Sequence, residues 1–216
     1  MAYAEGASPV IAELERAIHA RWAVGDLRGA ATAALHLYGP EVLGYLRAVH
    51  RDTGAAEEVF AIVGERLWSS LARFRWTASL RTYLYTLARH QSARLLRDEG
   101  RRRARLVPLA ECEAAWTVAA PTREPTLSCL TSDGPRSLTH LRGLLSPQDR
   151  ELLVLRVDRE LPWATVARIF LGEGATSEAE GRESARLRRR FQLIRGRLLA
   201  EGRARGLFGR APEEGP

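Results

Sequence analysis

Apolar residues recur at intervals of three and four along most of the chain and strand-like alternation is nearly absent, a pattern that predicts helices throughout. Between residues 8 and 51 the period breaks at Gly25-Asp26 and at Gly39-Pro40, so three helices with short turns are expected, the first opened by Ser8-Pro9. After Asp52-Thr53 a helix reaching Phe74 places Val59, Val63, Leu67, Leu71 and Phe74 on one face, with Phe60 beside them, and that face is core. The opposite side carries Glu58, Ile62, Glu65 and Ser69. An isoleucine between two carboxylates is either a docking surface for a basic partner or an ordinary exposed apolar side chain.

A break over residues 75–78 leads into a helix with Leu80, Leu84, Leu87 and Leu95 on one side and Tyr83, His90, Arg94, Arg97 and Arg101 on an adjacent stripe. An aromatic ring followed by guanidinium groups suits a nucleic-acid strand, whose bases stack on rings while its phosphates meet arginines; the same stripe also reads as a solvated face. Residues 106–135 then hold four prolines, no sustained period and few basic groups, the character of a linker between two domains.

Beyond the linker, Ser146-Pro147-Gln148-Asp149 reads as an N-cap, a proline at the first helical position and a carboxylate reaching back to the cap. That helix turns at residues 158–160 into a second, which starts at Pro162 and packs through Val166, Ala167 and Ile169. A basic third helix spaces Leu187, Phe191, Ile194 and Leu198 for a core and leaves Arg186, Arg189 and Arg190 outside. The order is that of a helix-turn-helix, whose final helix enters the major groove, or of a plain helical bundle. Between the last two helices Ser177 and Glu180 either form a capping box that opens a longer helix or lie in a flexible loop.

Composition adds a partner class. The 216 residues carry a net charge of +7, which favours approach to a polyanion. All 33 basic residues are arginine, compatible with phosphate and guanine recognition but also with a genome that disfavours lysine codons. Cys112 and Cys129 are too few for a disulfide framework or a zinc site, so incidental reduced thiols are expected. No window is apolar enough for a signal segment or membrane span, and a cytoplasmic protein without membrane insertion is expected. Scattered carboxylates, histidines without a motif (His36, His50, His140) and the lack of a Gly-rich phosphate loop argue against an enzyme and imply no cofactor and no metal.

Taken in order, the segments resemble a bacterial sigma factor of the extracytoplasmic-function type. "AVGDLRGAATAALHLYGPEVLGYL" is similar to the family's opening, "AAEEVFAIVGERLWSSLARFR" to its polymerase-docking helix, "ASLRTYLYTLARHQSARLLR" to the helix that engages the melted minus-ten region, and "LSPQDRELLVLRVDRELPWATVARIF" to the start of its minus-thirty-five reading domain. The resemblance implies an all-α chain of two small domains joined by a flexible linker. Residues 8–105 would be sigma domain two, 106–137 the linker, 138–208 sigma domain four with the helix-turn-helix, and 209–216 a tail.

By the same resemblance, Glu57, Glu58, Ile62, Glu65 and Arg66 would face core RNA polymerase. Trp76 would offer a platform for an unstacked promoter base, while Tyr83, Arg89, His90, Arg94 and Arg97 would line the strand's path. Arg182, Arg186, Arg189 and Arg190 would contact minus-thirty-five DNA. An anti-sigma factor, which such proteins often have, would cover the same faces. The chain departs from the family at Ala61-Ile62, where Gln-Glu is usual, at His90 in place of Asn, at Arg94 in place of Asp, and in the extra residues within 171–183. The competing expectation is a helix-turn-helix regulator that is not a polymerase subunit.

Overall fold

The structure, a computed structural model, describes residues 9–105 and 141–205. Ser8, the 106–137 linker with Cys112 and Cys129, His140 and the 209–216 tail lie outside the described residues. The first stretch folds as α1 (Pro9–Ala23), α2 (Leu27–His50), α3 (Thr53–Ser70) continued by a 3₁₀ turn at Leu71–Arg73, and α4 (Leu80–Arg105). The second folds as α5 (Pro147–Leu153), a π-helical turn at Val154–Asp158, α6 (Trp163–Leu171) and α7 (Ser177–Ala204). Every ordered element among the described residues is helical.

Local chemistry sets most boundaries. Gly25 takes φ +84° between α1 and α2, and Asp26 caps α2 by accepting the Gly29 N–H at 2.9 Å. Asp52 caps α3 through the Ala55 N–H at 2.7 Å. Ser146 caps α5 as expected, accepting the Asp149 N–H at 3.2 Å.

One expected break does not occur: α2 runs straight through Gly39-Pro40. Proline in a helix interior costs about 3 kcal/mol. Here Tyr38, Val42, Tyr45, Leu46 and Val49 are all buried across that point, and each such side chain contributes about 1.5–3 kcal/mol, so packing outweighs the lost N–H. Gly39 also admits the Phe60 ring, since a Cβ there would lie 3.2 Å from Phe60 Cζ.

Buried Val59, Val63 and Leu67 of α3 meet Leu80, Leu84 and Ala88 of α4 and the apolar face of α2. Two buried polar links bind these helices further: Tyr38 donates to Glu15 at 2.7 Å, and Glu41 accepts from Tyr85 at 2.8 Å and pairs with Arg81. In the second stretch Leu152, Leu155, Val166, Ile169, Leu187 and Ile194 form the core, with Phe191 and Leu198 packed at its edge as their spacing predicts.

The two stretches pack on one another, α4 against α6 and α2 against α5. Arg150 donates to the Val49 carbonyl at the end of α2, and Arg51, at φ +59°, donates to the Gly143 carbonyl at 3.3 Å. At the centre of the contact Glu151, 3% exposed, accepts from Tyr45 at 3.4 Å and lies 3.4 Å from the Arg89 Nε.

Candidate functional site

The outer faces of α3 and α4 leave a groove of about 630 Å³ between them. Glu58, Ile62, Glu65 and Ser69, expected on one stripe of that helix, form its α3 wall together with Arg66. Its α4 wall includes Arg94, Leu95, Asp98, Glu99 and Arg102. Ile62 is half-buried there. The result is a cleft with an apolar strip, Ile62 and Leu95, flanked by both signs of charge, suited to a helix that presents an apolar ridge between charges. Glu57 stands apart: it is exposed and its carboxylate is 2.9 Å from Arg47. Arg94, expected on the strand path, lines this groove, with its Nε 4.0 Å from Asp98.

The residues expected to hold a melted strand are divided. Trp76 is 6% exposed, at φ +55°, and its ring packs edge-on against His19 at 4.6 Å and Trp22 at 5.8 Å and tilts against Phe74 at 5.1 Å. It therefore offers no open face to a base in this conformation; α1 supplies two of the rings that enclose it, which no local pattern foretells. Its indole N–H is buried without a partner among the described residues. Tyr83 is likewise buried, stacked on Phe74 at 4.4 Å and donating to Ser70 at 2.6 Å. Burial, with the nearby Glu173 charge, raises its phenol above the usual range despite the Ser70 bond.

Arg89 turns towards the second stretch, its guanidinium 4.1 Å over the Phe170 ring and donating to the Phe170 carbonyl at 3.3 Å. His90 remains exposed, with one edge of its ring against Gly172, and partial burial together with Arg89 and Arg97 lowers its pKa against the opposing pull of Glu173. Arg97 is exposed, its Nε bonded at 3.1 Å to the Ala93 carbonyl of its own helix. The expected stripe exists, then, but its inner part is covered.

The uncertain segment before the last helix is settled in favour of a longer helix. Its cap is Thr176, which accepts the Ala179 N–H at 3.3 Å, and Glu180 is taken up by a two-bond pair with Arg168 at 2.7 and 2.9 Å. A capping role for Ser177 is thereby corrected, because Ser177 is the first helical residue.

Of the four arginines expected on DNA, Arg182 and Arg186 are exposed and paired within the helix with Glu178 and Glu183. Arg189 is exposed with no partner among the described residues. Arg190 is held at 2.6 Å by Asp149 of α5, so its head group braces the helix pair. Burial pushes the Asp149 carboxyl up, but the bonds from Arg190 and Ser146 hold it below the usual range. Among the described residues no cluster of His, Cys, Asp and Glu could hold a metal, and no helix is long and apolar enough to cross a membrane.

Residues 35–102, which span the α3/α4 groove and the stripe of α4, match the family Sigma-70 region 2. That segment, α3 and most of α2 and α4, is therefore similar to a sigma-70 region 2 domain. No curated protein sequence matches this chain significantly. Among solved structures it is similar to the sigma factor RpoE of Bartonella quintana, crystallised with the anti-sigma factor NepR, at 18% identity and a TM-score of 0.49 over 74% of this chain and 92% of that one.

The α4 wall of the groove was not visible in the one-helix stripes, because the acids Asp98 and Glu99 join Glu58 and Glu65 only when the two helices lie side by side. Glu151 was missed as well. Its signal is a carboxylate inside the apolar run "ELLVLRV", a placement that demands a buried partner.

Proposed function

We propose that this chain is a sigma factor of the extracytoplasmic-function type: it binds core RNA polymerase, directs it to specific promoters and helps open the duplex, with no chemistry of its own. The observation that carries the reading is the α3/α4 groove, whose Glu58, Ile62, Glu65 and Arg66 lie within the region 2 match. Residues 8–105 act as sigma domain two and 138–208 as sigma domain four, and the chain works in the cytoplasm. Exposed Arg182, Arg186 and Arg189 supply phosphate and base-edge contacts in the major groove, while Arg97 lies on the path of the melted strand. An anti-sigma factor that fills the α3/α4 groove would compete with polymerase for it.

The test is promoter-specific run-off transcription with core polymerase, for the full chain and for a Glu58→Arg, Glu65→Arg variant. A transcript that depends on the chain, with core affinity lost in the variant, is expected. Unchanged core affinity in the variant would remove the groove from the mechanism, and no transcript from a folded, DNA-binding chain would leave a helix-turn-helix regulator.

A further inference from the structure

The end of α6 and the turn that follows it, residues 171–176, lie against the stripe of α4 on which a melted strand is expected. Gly172 is buried at φ +86°, so close to the His90 ring that a Cβ would come within 3.0 Å of Cε1. Only glycine adopts that conformation at low cost and permits that approach. One residue before the turn, Phe170 lies beneath the Arg89 guanidinium at 4.1 Å and accepts its N–H. One residue after Gly172, the exposed Glu173 acts electrostatically on both Tyr83 and His90. Its carboxylate lies near the Tyr83 phenol and the His90 imidazole, two of the side chains that a bound strand would meet.

The contact is also incompletely filled. A cavity of about 220 Å³ remains between the turn and α4, lined by Phe74, Thr82, Tyr83, Thr86 and Gly172 among others. The pocket leaves part of the turn unpacked against α4, and the specific links across the contact are the Arg89–Phe170 pair and the buried Glu151–Arg89 pair behind it. A seat of that kind can be released without unfolding either half.

We propose that residues 171–176 are a built-in plug, which in the free protein occupies the strand-binding stripe of α4 and must leave it before single-stranded DNA can bind. The proposal rests on the sigma-factor reading for its biological sense, but the plug itself is a property of the free chain. If the open state holds about one-tenth of the free molecules, the apparent affinity for a strand is reduced about ten-fold, and loosening the plug recovers it.

Phe170→Ala removes the cation–π contact, and Glu173→Gln removes the competing charge at an exposed position where folding is not at stake. Both are made in the full chain with spin labels on exposed sites of α4 and α7. The distance distribution between the halves and the binding of a fluorescent mixed-sequence DNA 12-mer are measured without polymerase. The expected result is a longer or broader distance distribution for Phe170→Ala and tighter oligonucleotide binding for both variants, by up to about ten-fold. Unchanged distances in Phe170→Ala, or open molecules that bind the oligonucleotide no better, would overturn the plug. Failure of run-off transcription with these results intact would overturn the polymerase reading and leave the plug standing.

Discussion

Glu151 is the most consequential buried charge in the protein, and its removal gives a prediction whose size follows from the structure. Its carboxyl is 3% exposed and faces Tyr45 from α2 and Arg89 from α4. Burial pushes its pKa from 4.5 up to about 7, against the opposing effects of Arg89 and the Tyr45 hydrogen bond. A carboxyl with a raised folded pKa binds its proton more tightly in the native than in the unfolded chain, so its contribution is fully present below about pH 4.5 and is lost as pH rises through about 7. Between pH 5 and pH 8 the loss amounts to about 2.5 kcal/mol, from about 1.4 kcal/mol per pH unit of displacement.

Glu151→Gln keeps the shape and an acceptor for Tyr45 but cannot titrate. Urea unfolding of both proteins at pH 5, 6, 7 and 8, followed by far-ultraviolet circular dichroism, isolates this group, since all other titrations cancel in the difference. Stability of the native protein relative to Glu151→Gln should fall by about 2.5 kcal/mol from pH 5 to pH 8. A difference constant to within about 0.5 kcal/mol would show that Glu151 is not held in a desolvated site, and the packing of the two halves would need another account.

Two further outcomes separate structural from recognition roles. Arg189→Ala should leave the urea midpoint unchanged and lower the salt slope of DNA binding by about one, measured by fluorescence anisotropy, whereas Arg190→Ala, which takes the cationic partner from buried Asp149 and leaves it only Ser146, should cost about 1–3 kcal/mol in the same urea titration. Trp76→Ala should destabilise the chain by about 3–5 kcal/mol, because the ring is enclosed by His19, Trp22 and Phe74; a melting temperature equal to that of the parent would mean that Trp76 is an exposed platform after all.

Much of the molecule was legible before any coordinates. The 3.6-residue period placed Val59, Val63 and Leu67 of α3 and Leu187 and Ile194 of α7 in the core, and the structure buries all five. Caps were equally readable where a short polar side chain precedes an apolar run, as at Ser146. Half of the α3/α4 groove could be read too, because Glu58, Ile62 and Glu65 share one stripe of a single helix and helical geometry alone brings them together.

What failed to show in the sequence depends on contacts between distant segments. Gly39-Pro40 reads as a break because propensity is local, and it is overruled by side chains from three helices that bury α2 on both sides of it. Trp76 reads as an available ring because nothing nearby in sequence reveals that His19 and Trp22, more than fifty residues earlier, close over it. Arg89 and Arg190 read like their neighbours on basic stripes, yet one is drawn towards Phe170 and Glu151 and the other onto Asp149. The sequence by itself determined which residues are helical, which faces are apolar and that the surface is cationic, since those follow from spacing and side-chain chemistry. Tertiary structure alone decided which cations remain free for a phosphate, because a charge is committed only when folding brings a partner within a few ångströms of it.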